Sequence, residues 1–288
     1  MFTFLNRKKK NSNKRKKDYQ NTSDLLDSLS DVGLSRGNNE DSVLTIIHPT
    51  NPSLKLLAVA DGVGGKECGE IASNFAVDTL EKWFLNLSEN HINNSAYISR
   101  SLLQMIKFIN NYLYIVKSYR TGCGTTLTCA IINEKETIIA NVGDSRAYIV
   151  KDEEMKQVTR DDSLVWYYYE LGEISKEEIR FHRNSRLITK SIGPDFNVDP
   201  DIIRISNKSY DGIFLFTDGV TDCLSDSKIE HIVTNSKKIN LAKEIIKEAV
   251  YGQPIEKAPI GKEFYIPKNG KDNASVALYL KSNQKSYV

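Results

Sequence analysis

The stretch KLLAVADGVGG, Lys55 to Gly65, decides the reading of this chain. Leu56, Leu57, Ala58, Val59 and Ala60 form an apolar run of strand length that stops at Asp61, with glycine and small residues after it. A carboxylate left at the end of a buried strand beside glycines is a ligand or catalytic group more often than a packing residue. The construction recurs. Ile213 to Phe216 run into Thr217-Asp218-Gly219, Ile138 to Val142 run into Gly143-Asp144, Asp272-Asn273 precede Ser275 to Leu280, and Glu40-Asp41 precede Ser42 to Ile47. One Asp-Gly alone reads as a turn, because these are common turn residues. Repeated against so many apolar strands, the pattern reads as acids delivered to one end of a sheet. Carboxylates crowded together repel unless cations lie between them, so the pattern asks for metal. An all-oxygen set with no Cys or His cluster favours Mg²⁺ or Mn²⁺ over zinc.

With 288 residues, 40% of them hydrophobic, the chain has material for one large or two small folded units. No apolar run approaches the roughly 20 residues of a membrane helix, and the N-terminus lacks the order of a secretory signal, so a cytoplasmic location is expected. Cys68, Cys123, Cys129 and Cys223 show no paired spacing and are expected to be reduced and mostly buried. The formal charge of +2 is uneven: eight Lys and Arg lie within residues 1–17, where there is no acid, which leaves about −6 for the rest. Residues 1–20 read as a basic, disordered tail that could contact an anionic membrane weakly through residues 1–17, its apolar tip Met1 to Leu5 adding to the charge. Residues 21–288 read as the folded part.

Strands are expected at Ser42–Ile47, Leu54–Ala60, Gly124–Ile132, Thr137–Val142, Arg146–Val150, Ile202–Ile205, Ile213–Phe216 and Ser275–Leu280. Ala72, Ala76, Leu80, Trp83 and Leu87 repeat at helical spacing, as do Ile98, Leu102, Met105, Ile109, Leu113 and Val116. Further helices are expected near Ser227–Thr234 and Leu241–Tyr251, with a more helical stretch at Asp161–Ser185. Lys151–Glu154 reads as a turn, and Gly252–Gly270, with three prolines, as a loop. Strands and helices in separate blocks imply an α+β fold, helices covering layered antiparallel sheets.

Gly33-Leu-Ser-Arg-Gly37 matches the G-x-S-x-G pattern of serine hydrolases, but a strand follows it where that elbow needs a helix. No phosphate-binding loop of the G-x-x-x-x-G-K-[ST] type is present, which argues against a nucleotide hydrolase. Arg36 lies five residues before Asp41 in a Gly- and Asn-rich turn, where a guanidinium beside metals would serve a phosphoryl group.

Taken in order, GLSRGNNEDSV, AVADGVGG with GEIAS, GCGTTLT, IANVGDSRAYIV, QVTRDDSLV, RLITKSIG, FLFTDGVTD and KDNASV resemble the motifs of the metal-dependent type 2C protein serine/threonine phosphatases, especially their compact bacterial members. The resemblance runs from about residue 28 to the end of the chain. It implies a four-layer α-β-β-α sandwich of two antiparallel sheets flanked by helices, and hydrolysis of phosphoserine and phosphothreonine by a metal-activated water. The cofactors implied are two Mn²⁺ or Mg²⁺ ions, with a weaker third. Asp41, Asp61, Asp218 and Asp272 resemble the metal-binding acids, Gly62 a ligand through its carbonyl, and Asp144 the acid of the third ion. Arg36 resembles the arginine that grips phosphate, and residues 161–185 the variable flap. Phosphorylated proteins are the implied substrates, with a Ser/Thr kinase and its targets as partners and no nucleic acid. Two departures stand out. Val63 occupies the place after Asp-Gly where many eukaryotic members carry a histidine proposed as general acid, and the loop Gly252–Gly270 is longer than the compact bacterial pattern.

Overall fold

The computed structural model describes residues 24–64, 68–117, 123–236, 238–253, 259 and 261–282. The expected basic tail lies outside them. In chain order the strands are β1 (Leu25–Asp31), β2 (Asp41–His48), β3 (Asn51–Val63), β4 (Gly124–Thr125), β5 (Leu127–Ile132), β6 (Glu136–Val142), β7 (Arg146–Lys151), β8 (Glu154–Gln157), β9 (Asp201–Ser206), β10 (Gly212–Phe216) and β11 (Ala274–Leu280). The helices are α1 (Cys68–Leu85), α2 (Glu89–Ile92), α3 (Ser95–Lys117), α4 (Leu164–Glu170), α5 (Asp218–Thr221), α6 (Asp226–Asn235) and α7 (Leu241–Tyr251).

Two sheets form, ordered β1-β11-β10-β7-β8 and β2-β3-β5-β6-β9, with β4 joined to β3. Every pairing is antiparallel. The period-2 alternation of a strand explains why the central runs are apolar throughout. Leu56, Ala58 and Ala60 of β3 pack with α1 and α3, while Leu57 and Val59 enter the layer between the sheets. In β10, Ile213 and Leu215 meet them there, and Phe214 and Phe216 turn outward onto α7. Each central strand thus serves two cores, and the result is the expected four-layer α-β-β-α sandwich.

Two strands were not foreseen. Both β1 and β8 are edge strands of one sheet, and their sequences, LLDSLSD and EMKQ, carry the polar residues that suit an edge. The turn expected at Lys151–Glu154 is the hairpin between β7 and β8, with Asp152 and Glu153 both at positive φ (48° and 71°). Gly124–Ile132 is broken at Thr126 into β4 and β5. The segment 161–185 is less helical than expected: it holds α4 and one short 3₁₀ turn, Ile179–Phe181.

The expectation of four reduced cysteines is corrected. Cys68, the first residue of α1, and Cys123 are disulfide-bonded with Cα atoms 4.9 Å apart, while Cys129 and Cys223 are free and buried. Pairing of β4 with the end of β3, Gly62 opposite Thr125 and Val63 opposite Gly124, draws Cys123 toward α1. Sequence spacing carries no sign of that contact. Among the described residues, no helix is long and apolar enough to cross a membrane.

Candidate active site

Antiparallel pairing places the acids at one edge of the sandwich. Asp41 opens β2 and sits opposite Asp61 near the end of β3. In the other sheet, Asp218 lies two residues beyond the end of β10 and Asp272 two residues before the start of β11, and these two strands pair with Phe216 opposite Val276. Asp144 lies in the link from β6 to β7, where the chain crosses between sheets. Gly143, at φ 104°, makes that link, since an L side chain is strained there. Asp162 holds the same link by accepting from Gly143 N–H at 3.0 Å.

The backbone beneath the acids is tightly fixed. Asp61 N–H donates to Thr126 Oγ1 at 2.9 Å, and its carbonyl accepts from Thr126 N–H and the Thr125 hydroxyl. Gly62 N–H donates to Glu40 O at 3.1 Å, and any Cβ on Gly62 would collide with the carbonyl of Gly69 in α1. Asn273, buried, acts as a staple: its Oδ1 accepts from Glu40 N–H at 2.9 Å and its amide donates to Val32 O and Asn38 O. This fixes the loop that carries Arg36, whose Nη2 donates to Asp272 Oδ2 at 2.8 Å. Gly33-Leu-Ser-Arg-Gly37 is a turn packed on this staple, not a nucleophile elbow, and a Cβ at Gly33 (φ 75°) would strike Asp272 O.

The electrostatics express the crowding. Burial first, then Asp218 and Asp272, pushes the Asp41 carboxyl up to about 7, against the hydroxyls of Ser275 and Thr217, which donate to its Oδ2 at 2.7 and 2.8 Å. Burial followed by the charges of Asp218, Asp41, Asp144 and Asp272 holds Asp61 well above the usual carboxylate range. Asp144 is raised by burial and then by Asp218, Asp161 and Asp222. Asp218 is also raised, by burial and then by Asp272.

Sequence reasoning missed two contributors. Asp222, four residues beyond Asp218 and so on the same helical face, is pushed up to about 8 by burial and by Asp218. That spacing in DGVTD was the available signal. Arg186, its side chain 40% exposed, brings a guanidinium to 3.5 Å from Asp272 Oδ2. Burial alone would lower its pKa, but Asp272, Asp218 and Asp222 outweigh it. Its chain position gave no hint, because the segment between Asp161 and Arg186 has no regular period.

Among the described residues, no three His, Cys, Asp or Glu side chains already converge on a single point as a finished metal cage. The residues nonetheless suit hard divalent ions. Asp41 Oδ1 and Asp218 Oδ1 are buried without any hydrogen-bond partner, and carboxylate oxygens are the donors a hard divalent ion prefers. A pocket between the sheets' ends is lined by Asp144, Asp218, Asp222, Asp161, Arg146 and Ser185. A larger cleft of about 560 Å³ lies among α1, α2 and α3, lined by Trp83, Tyr97, Met105 and Phe108, and holds none of the acids.

Residues 35–247 match the family model described as Protein phosphatase 2C. The chain belongs to the protein phosphatase 2C family. Protein phosphatase PhpP of Streptococcus pneumoniae is 34% identical over 207 residues, 72% of this chain and 83% of that protein. The crystal structure of the serine/threonine phosphatase Stp1 from Staphylococcus aureus superposes with a TM-score of 0.75 at 32% identity, over 88% of this chain and 94% of that one. The catalytic domain of the phosphatase PstP, solved with 2 manganese ions, has a TM-score of 0.72 at 26% identity, over 89% of this chain and 97% of that one. This protein phosphatase 2C is therefore a metal-dependent protein serine/threonine phosphatase, a phosphoric monoester hydrolase.

Such a site has a signature without its metals. A carboxyl whose folded pKa lies above its unfolded value contributes stability that is full below the unfolded pKa, about 4, and is lost as pH rises through the folded one. For Asp41 and Asp222 that loss runs upward from the unfolded value and is complete once pH has passed about 7 and about 8. In EDTA the melting temperature is expected to fall as pH is raised from about 6 to about 8.5, and Mn²⁺ to raise it most at the alkaline end. A flat metal-free profile in thermal denaturation would contradict the crowding.

Proposed function

We propose that Asp41, Asp61, Asp218 and Asp272, with the Gly62 carbonyl, hold two Mn²⁺ or Mg²⁺ ions, and that Asp144, Asp218 and Asp222 form a weaker third site. Two divalent ions bound there supply a water acidified toward neutrality and positive charge for the phosphoryl oxygens. The chain's own part is to fix the acids. Thr217 and Ser275 turn Asp41 so that its free Oδ1 is left for an ion, and Thr126 fixes the backbone that carries Asp61 and Gly62. The observation that carries the reading is the pair of orphaned, buried oxygens, Asp41 Oδ1 and Asp218 Oδ1, one from each sheet.

Arg36 is the group assigned to the substrate phosphate. Its side chain is 42% exposed and its guanidinium is engaged by Asp272, with Glu40 Oε2 at 3.9 Å, so it stands at the mouth of the acidic cluster. Arg186 faces Asp272 as well and offsets its charge. The substrates are phosphoserine and phosphothreonine in proteins, and a Ser/Thr kinase acting on those proteins is the natural opponent. With Val63 in the position after Asp61-Gly62, protonation of the leaving group falls to metal-bound water or another group. A cytoplasmic location fits the reading, as does weak contact of residues 1–17 with anionic lipid.

Phosphate release from a phosphothreonine peptide in Mn²⁺, abolished by EDTA, tests the function. In the same assay Arg36→Ala is expected to lower kcat/KM by about 100-fold, the size of one charge-assisted transition-state contact. A loss of less than about threefold would remove Arg36 from the phosphate site.

A further inference from the structure

The long loop before Asp272 has a structural partner. Residues Glu263–Tyr265 lie antiparallel to the far turn of the flap: Tyr265 N–H donates to Phe181 O at 2.7 Å and Arg183 N–H to Glu263 O at 2.6 Å, with His182 opposite Phe264. These two bonds flank the His182–Phe264 position without joining it directly, the arrangement that brings facing side chains closest. The two rings meet edge to face at 5.9 Å, and Tyr168 of α4 meets the buried His182 ring at 5.4 Å. Beyond the paired segment, the Tyr265 hydroxyl lies 3.0 Å from Ser185 Oγ, at the residue that precedes Arg186.

The other end of the loop is tied to the core. Lys268 O meets the Cys223 thiol, Asn269 donates to Glu248 O, and Gly270 O accepts from Leu34 N–H at 2.7 Å. Six residues lie between Tyr265 and Asp272. The flap has only a small apolar cluster of its own, Val165, Trp166 and Ile179. Its base is pinned by Asp162 on Gly143 and by Leu164 N–H on Leu187 O, and Lys176 pairs with Asp226 at 2.9 Å. The turn from Ile179 to Asn184 is what Glu263–Tyr265 holds.

We propose that Glu263–Tyr265 is a strap that positions the flap for phosphorylated polypeptides, with Phe264 and Tyr265 as positioning residues of the dephosphorylation reaction. The inference rests on the phosphatase reading above. The strap touches none of the metal-binding acids, so it acts on the polypeptide around the phosphate and leaves the phosphoryl chemistry alone.

The test uses the full chain in Mn²⁺, as wild type, Phe264→Ala and Tyr265→Phe. Hydrogen exchange of amides 179–187 is expected to quicken about tenfold in Phe264→Ala, with amides 41–62 unchanged. On a phosphothreonine peptide kcat/KM is expected to fall about fivefold, chiefly through KM, while p-nitrophenyl phosphate hydrolysis stays within about twofold. Tyr265→Phe, which keeps the ring, should show a smaller change in the same direction. Unchanged exchange in the flap, or equal losses on both substrates, would overturn the strap. A wild type inactive on both substrates would instead refute the phosphatase reading, and the exchange measurement would still decide the strap.

Discussion

Asp61→Asn, assayed with saturating Mn²⁺, is expected to lose phosphate release from phosphothreonine peptides by about 1,000-fold or more, and Asp218→Asn to do the same. The change removes one negative charge while keeping shape and hydrogen-bonding capacity, so the fold should survive. Asp61 carries the repulsion of Asp218, Asp41, Asp144 and Asp272, so removing its charge relieves crowding that a bound cation would otherwise offset. The EDTA-treated Asp61→Asn protein should therefore melt no lower than EDTA-treated wild type. Its melting point should also rise less on adding Mn²⁺. Full turnover in either variant would remove the acids from the chemistry.

The second large effect is on stability. Arg146, at the start of β7, is buried with Asp161: Nη2 lies 2.7 Å from Oδ2, and Nε lies 2.8 and 3.1 Å from the two oxygens. Gln157 donates to the same carboxylate at 2.8 Å. Asp161→Ala leaves the guanidinium buried with its main partner gone, which costs about 3–5 kcal/mol. Arg146→Met, which also strands a charge, should cost a similar amount in urea denaturation. The double variant should lose less than the sum of the two, because no uncompensated charge remains. Additive losses would mean that the pair is not coupled. Since Asp161 borders the pocket of Asp144 and Asp222, these variants should also weaken any ion at the proposed third site more than those at the proposed first two.

Much of the catalytic edge was legible because the central strands are apolar on both faces. A run such as Leu56 to Ala60 admits one reading, and an acid that terminates it stands out. The edge strands β1 and β8 were illegible for the opposite reason: half-exposed strands accept polar residues, and their alternation is lost. Asp41, Asp61, Asp144, Asp218 and Asp272 were each singled out from their own local context, and strand pairing gathers them at one edge. Arg186 and the strap were not, because their roles come from contacts across the fold that no local period encodes. The Cys68–Cys123 bond belongs with them, set by the pairing of β4 with β3.

Neither sheet owns the catalytic edge. Asp41 and Asp61 hang from one, Asp218 and Asp272 from the other, and only the layer of Leu57, Val59, Ile213, Leu215 and their neighbours keeps the two in step. The hydrophobic interior therefore works as an alignment gauge, and turnover reads out how the sheets sit on each other. Under the proposed metal-binding role, natural variation in that remote layer becomes a way to tune cation affinity without altering a single acid.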